Sequence, residues 1–556
     1  MKKLSFILVL ATLALFTQCK KQEPTGTTEQ NGIQMVLTAD NGSRTSFGPN
    51  GAISWSANDK IYVVTGGQCV GYVTNGSGGG STFTGTLSGI TASGTYDFHY
   101  YYVGNTQTID NGATSFTMDF SNQDGTLANL GDFHVGYGAQ TGVDVTTGET
   151  VTAQATMQTL VAMAYFDLAG MAETGEKVFF YGDRINNQLT LDFSTNTPSY
   201  GKVNNGWICA GTATSGAYMM LLPNHTDGTE TLDTDITFVS KRTTGTCNDV
   251  FSYGIIGGRF YCADGNTNTP IALVVAPYDE GALRGEFSIS ASQTVRFSQG
   301  NLQYQASTST WRFAENQWNY VGGIDVMDDI FGNVSGSSND NISSTYSGWI
   351  DLFGWGTSGY NHGAVCYQPW STSENEEDYY AYDSETSNLY DGNGQADWGY
   401  NAISNGGNTE NSGWRTLTND EWGYVINTRT TSSGIRYAKA KVNGVSGVIL
   451  LPDDWTASTY ALNSTNASNA NYTTNTITAE DWANVLEVNG AVFLPAAGYR
   501  EGITLHDFDE SGSYWSATAF NYEYSYNVWF LSDLLYPQDG GDRNNGHSVR
   551  LILDAE

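Results

Sequence analysis

GSYWSATAFNYEYSYNVWFLSDLLYPQDGGDRNNGHSVRL, residues Gly512–Leu551, is the stretch on which the reading of the whole chain turns. Tyr522, Tyr524, Tyr526, Trp529 and Tyr536 are interleaved there with Asn521, Asn527, Ser532, Asp533, Asp539, Asp542, Asn544 and His547. Tyr and Trp offer broad, rigid contact area at low entropic cost, and Asn, Ser and Gly add adaptable hydrogen bonding. A segment built only for packing favours Leu, Ile and Val, which have no polar atoms to satisfy. Composition leaves two readings open: a displayed recognition surface, or ordinary strands with half-buried aromatics.

The segments that frame this stretch are YWSAT at Tyr514–Thr518 and NGHSVRL at Asn545–Leu551. They resemble the C-terminal variable region of proteins diversified by retroelements, on a C-type-lectin fold of the formylglycine-generating-enzyme type. In that family a fixed scaffold displays a surface rewritten through adenine mutation of Asn codons. The resemblance implies a ligand-binding face made of Asn521, Tyr522, Tyr524, Tyr526, Trp529, Ser532, Asp533, Leu535, Tyr536, Asp539, Asp542, Asn544 and His547. Glu523 and Trp529 stand apart, because neither arises from an Asn codon by adenine change alone.

Upstream motifs follow in that family's order. They are GEFSISASQTVRFSQGNLQYQASTSTWRFAENQWNYVG at Gly285–Gly322, YSGWIDLFGWGTSG at Tyr346–Gly359, NAISNGG at Asn401–Gly407, GWRTLTNDEW at Gly413–Trp422 and VFLPAAGYR at Val492–Arg500. The framework tryptophans Trp311, Trp349, Trp355, Trp414 and Trp422 are expected in the core. Two helices can be placed from the residues alone. Thr418 and Glu421 have capping-box spacing, and Trp422, Val425 and Ile426 then share a face. Thr478 precedes AEDWANVL, with Trp482, Val485 and Leu486 at i, i+3 and i+4. Two helices beside many short strands fit an α+β domain.

Catalysis is not expected. Formylglycine-generating enzymes use a pair of cysteines, and this domain has only Cys366. The six histidines show no metal-ligand spacing, so no metal or cofactor is expected. Glu374, Glu376, Glu377 and Asp378 read as a solvated loop. Asp507, Asp509, Ser511 and Gly512 match half of an EF-hand loop, but its twelfth position is Thr518, where a bidentate Glu is needed.

Before this domain the chain reads as short strands between Gly, Asn and Thr turns, the pattern of β-sandwiches. RTSFGPNGAISWSANDKIYVV at Arg44–Val64 and MQTLVAMAYFDLAG at Met157–Gly170 resemble fimbrillin-like pilins and fimbrial tip proteins. Thr45, Phe47, Trp55, Asp59 and Ile61 carry the first match. Trp55 and Ile61 should face one core, and Asp59 should close the turn between their strands. The expected fold is mainly β with an α+β C-terminal domain. Residues 33–152 and 153–277 form two fimbrillin-like β-sandwiches, 278–284 a linker, and 285–556 a C-type-lectin-like domain.

The first 18 residues read as a signal peptide, with Lys2 and Lys3 ahead of an apolar run too short to span a bilayer. Cys19 stands where bacterial lipoproteins carry their lipid, and residues 19–32 form a polar tether. Five wider-spaced cysteines remain, of which Cys247 and Cys262 are the pair nearest in sequence. With 57 acidic against 23 basic residues, the net charge of −34 argues against a nucleic-acid partner, which needs a basic face. The expected protein is an outer-membrane lipoprotein at the cell surface, touching the membrane through its lipid anchor only. As an adhesin it would bind a protein or glycan ligand. The alternatives are a structural or tip subunit of a fimbrillin-type pilus, with other pilins as partners, and an enzyme acting on surface polysaccharide.

Overall fold

A computed structural model describes residues 32–40, 46–47, 53–76, 80–203, 206–212, 215–225, 231–247, 250–263, 265, 269–320, 342–379 and 387–555. The expected signal segment, Cys19, the tether up to residue 31 and Thr45 lie outside the described residues. The architecture is mainly β throughout, and among the described residues no helix is long and apolar enough to cross a membrane.

The first unit is one eight-stranded sheet. Its strand order is Thr150–Thr156, Ile33–Asp40, Thr82–Leu87, Gln68–Thr74, Lys60–Thr65, Gly94–Val103, Val135–Val145 and Gln158–Thr159. Ile33–Asp40 runs parallel to Thr150–Thr156, and Gln158–Thr159 then pairs with the opposite edge at Gly136 and Tyr137. One continuous segment thus pairs with both outer strands, which requires the sheet to roll round. The roll encloses Met35, Leu37, Trp55, Ile61, Phe83, Phe98 and Tyr100. Trp55 and Ile61 share that core as their spacing predicts. Asp59 closes the turn by accepting the backbone N–H of Ser56 at 2.6 Å.

The other face of this sheet, with Tyr62, Val64, Tyr101 and Val103, packs on Phe116, Met118, Leu189 and Leu191. Those residues come from a three-stranded sheet of Ser115–Asp119, Gln188–Asp192 and Thr197–Gly201. Next come a four-stranded sheet centred on Ala162–Asp167 and a six-stranded sheet containing Phe179–Tyr181 and Ile236–Val239. They enclose a second apolar core that includes Phe166, Phe180, Ile208, Met219 and Phe238.

Two expected boundaries shift. The strand Thr150–Thr156 crosses 152/153 and belongs to the first sheet. Ser115–Asp119 and Asn122–Gln123 leave the first stretch to pair with Gln188–Asp192 and Ile208–Ala210 of the second. The two stretches are therefore interleaved, because backbone pairing and not composition fixes where a sheet ends. The linker also ends early: Ala282 already pairs with Ser298 in the C-terminal domain.

In that domain the first and last strands meet. Ala282–Ser288, Thr294–Ser298, Leu551–Asp554 and Arg415–Thr416 form one sheet, which ties the ends of the domain together. A second sheet joins Tyr437–Val442, Val445–Leu450, Val492–Pro495 and Thr476–Ile477. The helix Asn419–Gly423 begins with the expected capping box of Thr418 and Glu421 and widens into a π-type turn at Tyr424–Thr428. Thr478 caps the second helical segment through the N–H of Asp481. Trp355, Trp422 and Trp482 are fully buried, and Trp311 and Trp414 are buried too. Trp349 departs from expectation: it is half-buried, with the Arg312 guanidinium 3.8 Å from its ring.

Candidate functional site

Gly512–Asp542 folds as a three-stranded antiparallel meander: Gly512–Ala519, Tyr524–Phe530 and Leu535–Asp542. Its turns are held from within. At the first, the Asn521 side chain accepts the backbone N–H groups of Glu523 and Tyr524 at 2.9 and 2.8 Å, so Asn521 shapes the tip. At the second, Lys439 reaches up from the sheet below and donates to the carbonyls of Leu531 and Leu534 at 2.7 and 2.8 Å, and to Ser468. Burial lowers the Lys439 ammonium to a pKa of about 8, against the opposing pull of Asp533.

Side chains alternate across a strand, so Ser525, Asn527 and Trp529 take one face and Tyr524, Tyr526, Val528 and Phe530 the other. Both faces are covered at the middle. Val528, Phe530 and Leu535 join a core with Trp422 and Tyr514, while Asn527 lies against His547, which stacks on Trp515 at 4.1 Å. Aromatic rings emerge only towards the ends, and they form two patches. Trp529 and Tyr536 are direct cross-strand partners with rings stacked 5.9 Å apart. Across the sheet, Tyr526 sits opposite Gly540 and meets the ring of Phe520 edge-on at 5.1 Å. A Cβ at Gly540 would meet nothing within 4 Å, so the surface beside Tyr526 is open.

The expected ligand-binding residues divide accordingly. Tyr522 and Tyr536 are 45% and 47% exposed, Asp533 is exposed, and Asn521, Tyr524, Tyr526, Trp529, Ser532, Asp539 and Asp542 are half-buried. Leu535, Asn544 and His547 are buried and are withdrawn from the face. Leu535 is a core residue, and Asn544 donates to the Glu374 carbonyl at 3.0 Å, pinning the 374 loop. His547, 3% exposed, is held neutral by burial, with its pKa lowered to about 3. Phe520, 51% exposed, was missed; it follows the YWSATA run directly and reads as the end of that packed strand.

One end of the face is acidic. Burial raises the Asp542 carboxyl, and the neighbouring charges of Glu376 and Glu501 raise it further. The run from Glu374 to Asp378 therefore does more than sit in solvent, since it folds as a tight turn at Glu376–Asp378 beside the meander. Arg543 balances that end from beneath, fully buried with its guanidinium 4.6 Å from the Trp355 ring. Asp509 of the partial calcium-type motif is committed elsewhere, accepting Ser446 N–H at 2.7 Å and pairing with Lys441 at 3.2 Å. Among the described residues no group of His, Cys, Asp or Glu is arranged to hold a metal.

Residues 453–552, which contain the meander, match a family model described as a domain of unknown function, DUF8237. No curated protein matches the chain. Among solved structures, a putative cell adhesion protein from Bacteroides uniformis is 14% identical, covering 45% of this chain and 99% of its own, with a TM-score of 0.29. The fimbrial anchor protein Mfa2 from Porphyromonas gingivalis is 12% identical over 37% of this chain and 78% of its own, at a TM-score of 0.22. The tip fimbrial protein Mfa3 from the same organism is 13% identical over 38% and 78%, also at 0.22. At these scores the likeness carries no argument about function, which rests on the site.

Proposed function

We propose that this chain is a non-catalytic cell-surface adhesin, anchored through lipid on Cys19, whose C-terminal domain has a C-type-lectin fold and binds a protein or glycan through the Gly512–Asp542 meander. The observation that carries the reading is the exposure of Phe520 and Tyr522 at the first turn and of Tyr536 on the third strand of a meander whose middle is locked into two cores. Large rings left exposed on a rigid support are what a binding surface needs, because they add area to a partner and little to their own core. The names of the fimbrial and adhesion proteins quoted above are in keeping with such a role. The test is to screen the full chain on protein and glycan arrays beside a Phe520→Ala, Tyr526→Ala, Tyr536→Ala variant. Hits lost in the variant at unchanged melting temperature are expected; an unchanged hit pattern overturns the reading.

A second reading, a fimbrial subunit that assembles by strand exchange, is favoured by one observation. Among the described residues, the strand Ala162–Asp167 is covered along one edge only by the two-residue strands Phe260–Tyr261 and Ile271–Ala272. Main-chain hydrogen bonds to such an edge give affinity without sequence demands. Concentration-dependent fibres under the electron microscope would support it.

A further inference from the structure

Where the second sandwich meets the C-terminal domain there is a cleft of about 380 Å³, lined by residues of both and by none of the meander. Its size lies within the range of small-ligand sites, about 300–1,000 Å³. One wall is the ring pair Tyr181 and Trp207, stacked 4.8 Å apart and 15° from parallel. The pair rests on a small apolar junction of Phe179, Cys209, Val239 and Val488, which includes a residue from each side. Asp454, Thr456 and Asn489 also line the cleft.

Arg284 lines it as well. Its Nε donates to the Val488 carbonyl at 2.5 Å, and its backbone N–H donates to the Lys241 carbonyl at 2.9 Å. Its guanidinium lines the cleft and feels the charge of the Asp454 carboxylate. Burial disfavours the charge on this guanidinium. A guanidinium at the lining of a cleft presents forked donors to an oxygen-rich ligand. Trp455, which also lines the cleft, is 2% exposed and its indole N–H has no partner. The cleft is built rather than incidental, because both sides are pinned nearby: Arg242 donates to Gln299 at 2.8 Å and Lys177 to Asn484 at 3.0 Å.

An aromatic wall, a forked donor, a carboxylate acceptor and an amide are the groups that recognise a sugar ring, one face on the rings and its edge hydroxyls on the polar side chains. Asp454 beside Arg284 makes the cleft neutral overall, and the whole chain carries −34, so an anionic sugar is disfavoured. We propose that this cleft binds a neutral saccharide, with one ring against Trp207, vicinal hydroxyls accepting from Arg284 and donating to Asp454. The site is independent of the meander.

The test titrates the full chain with a panel of neutral α- and β-linked disaccharides, and with uronic-acid counterparts, following tryptophan fluorescence and ligand-detected NMR. Saturable binding of at least one neutral disaccharide is expected, and weaker binding of its acidic counterpart. Trp207→Ala should weaken it at least about tenfold. Because that change could also loosen the junction, Asp454→Ala, at an exposed position, is the second variant and should weaken binding about as much with the melting temperature unchanged. Tyr526→Ala should leave it untouched. Absence of saturable binding across the neutral panel, or binding that survives Asp454→Ala and falls with Tyr526→Ala, overturns the proposal.

Discussion

Single residues show how burial and chemistry divide this domain. His547 stacks on Trp515 beneath the meander and is neutral, with a pKa of about 3 in place of the usual 6.5. The unfolded chain takes up that proton as pH falls below about 6.5, and the folded chain does so only near 3. Stability from this group is therefore full above 6.5 and is lost progressively between 6.5 and 3. Urea unfolding at pH 7 and pH 4.5 should show a larger loss in wild type than in His547→Gln; equal losses would place the titration elsewhere. Aromatics divide in the same way. Trp422→Ala should cost about 3–5 kcal/mol, as large buried side chains do. Tyr522→Ala should stay within about 0.5 kcal/mol by thermal unfolding. That division was legible for Trp311, Trp355, Trp414 and Trp422, because the family-like motifs and apolar spacing agree at those positions. It was not legible for His547, Asn544 or Leu535. A His or Asn in an aromatic-rich run reads as polar surface, and only the fold reveals that it faces another layer.

Among the elements, the meander obeys the period of two that its sequence displays, yet period alone does not say what lies on either side. Alternation places Trp529 and Tyr526 on opposite faces, and both faces are covered at mid-strand by cores that come from elsewhere in the chain. The sequence composition therefore pointed to one surface where there are two patches. The helices fared better, because caps are local: Thr418 and Thr478 act through N–H groups three residues away. The second turn of the meander depends on Lys439, a contact between residues about ninety positions apart that no local pattern encodes. Lys439→Met should leave those carbonyls unsatisfied and destabilise the domain by about 1–3 kcal/mol at pH 7. The pH dependence has a definite sign. With a folded pKa of about 8 against the ordinary 10.5, the unfolded chain holds more protons between those values, so this residue's contribution to stability rises with pH across that window. Comparing wild type with Lys439→Met at pH 7.5 and 9.5 isolates it; a gap between the two that fails to change with pH would remove the assigned shift.

At the scale of the whole molecule, the N-terminal sheets have to be joined to the C-terminal domain, and the chain to the membrane. Cys19→Ala should abolish metabolic acyl labelling and move the protein from the membrane to the soluble fraction, since each buried methylene of a lipid contributes about 0.8 kcal/mol. Retention in the membrane without label would mean a different anchor. The junction between the domains turns on Arg242, which is buried, pairs bidentately with Glu176, and reaches Gln299 across the boundary. Burial pushes the Glu176 carboxyl up, but the hydrogen bonds from Arg242 and the charges of Lys241 and Arg242 outweigh it and hold the pKa at about 2. The ordinary value is 4.5, so the stabilisation is full above 4.5 and drains away as pH falls towards 2. As the carboxylate is lost, the buried Arg242 keeps only the more exposed Glu173, 3.0 Å away, as its counter-charge, a less favourable state. The two halves should then separate before either melts. Small-angle scattering between pH 5 and pH 2 should show wild type lengthening while its circular dichroism holds steady. Arg242→Ala should be extended already at pH 5, and Glu176→Gln should show little pH response. If wild type and Glu176→Gln follow the same curve, the junction is held by its apolar contacts at Val488 and Trp207, and the ion pair is incidental to it.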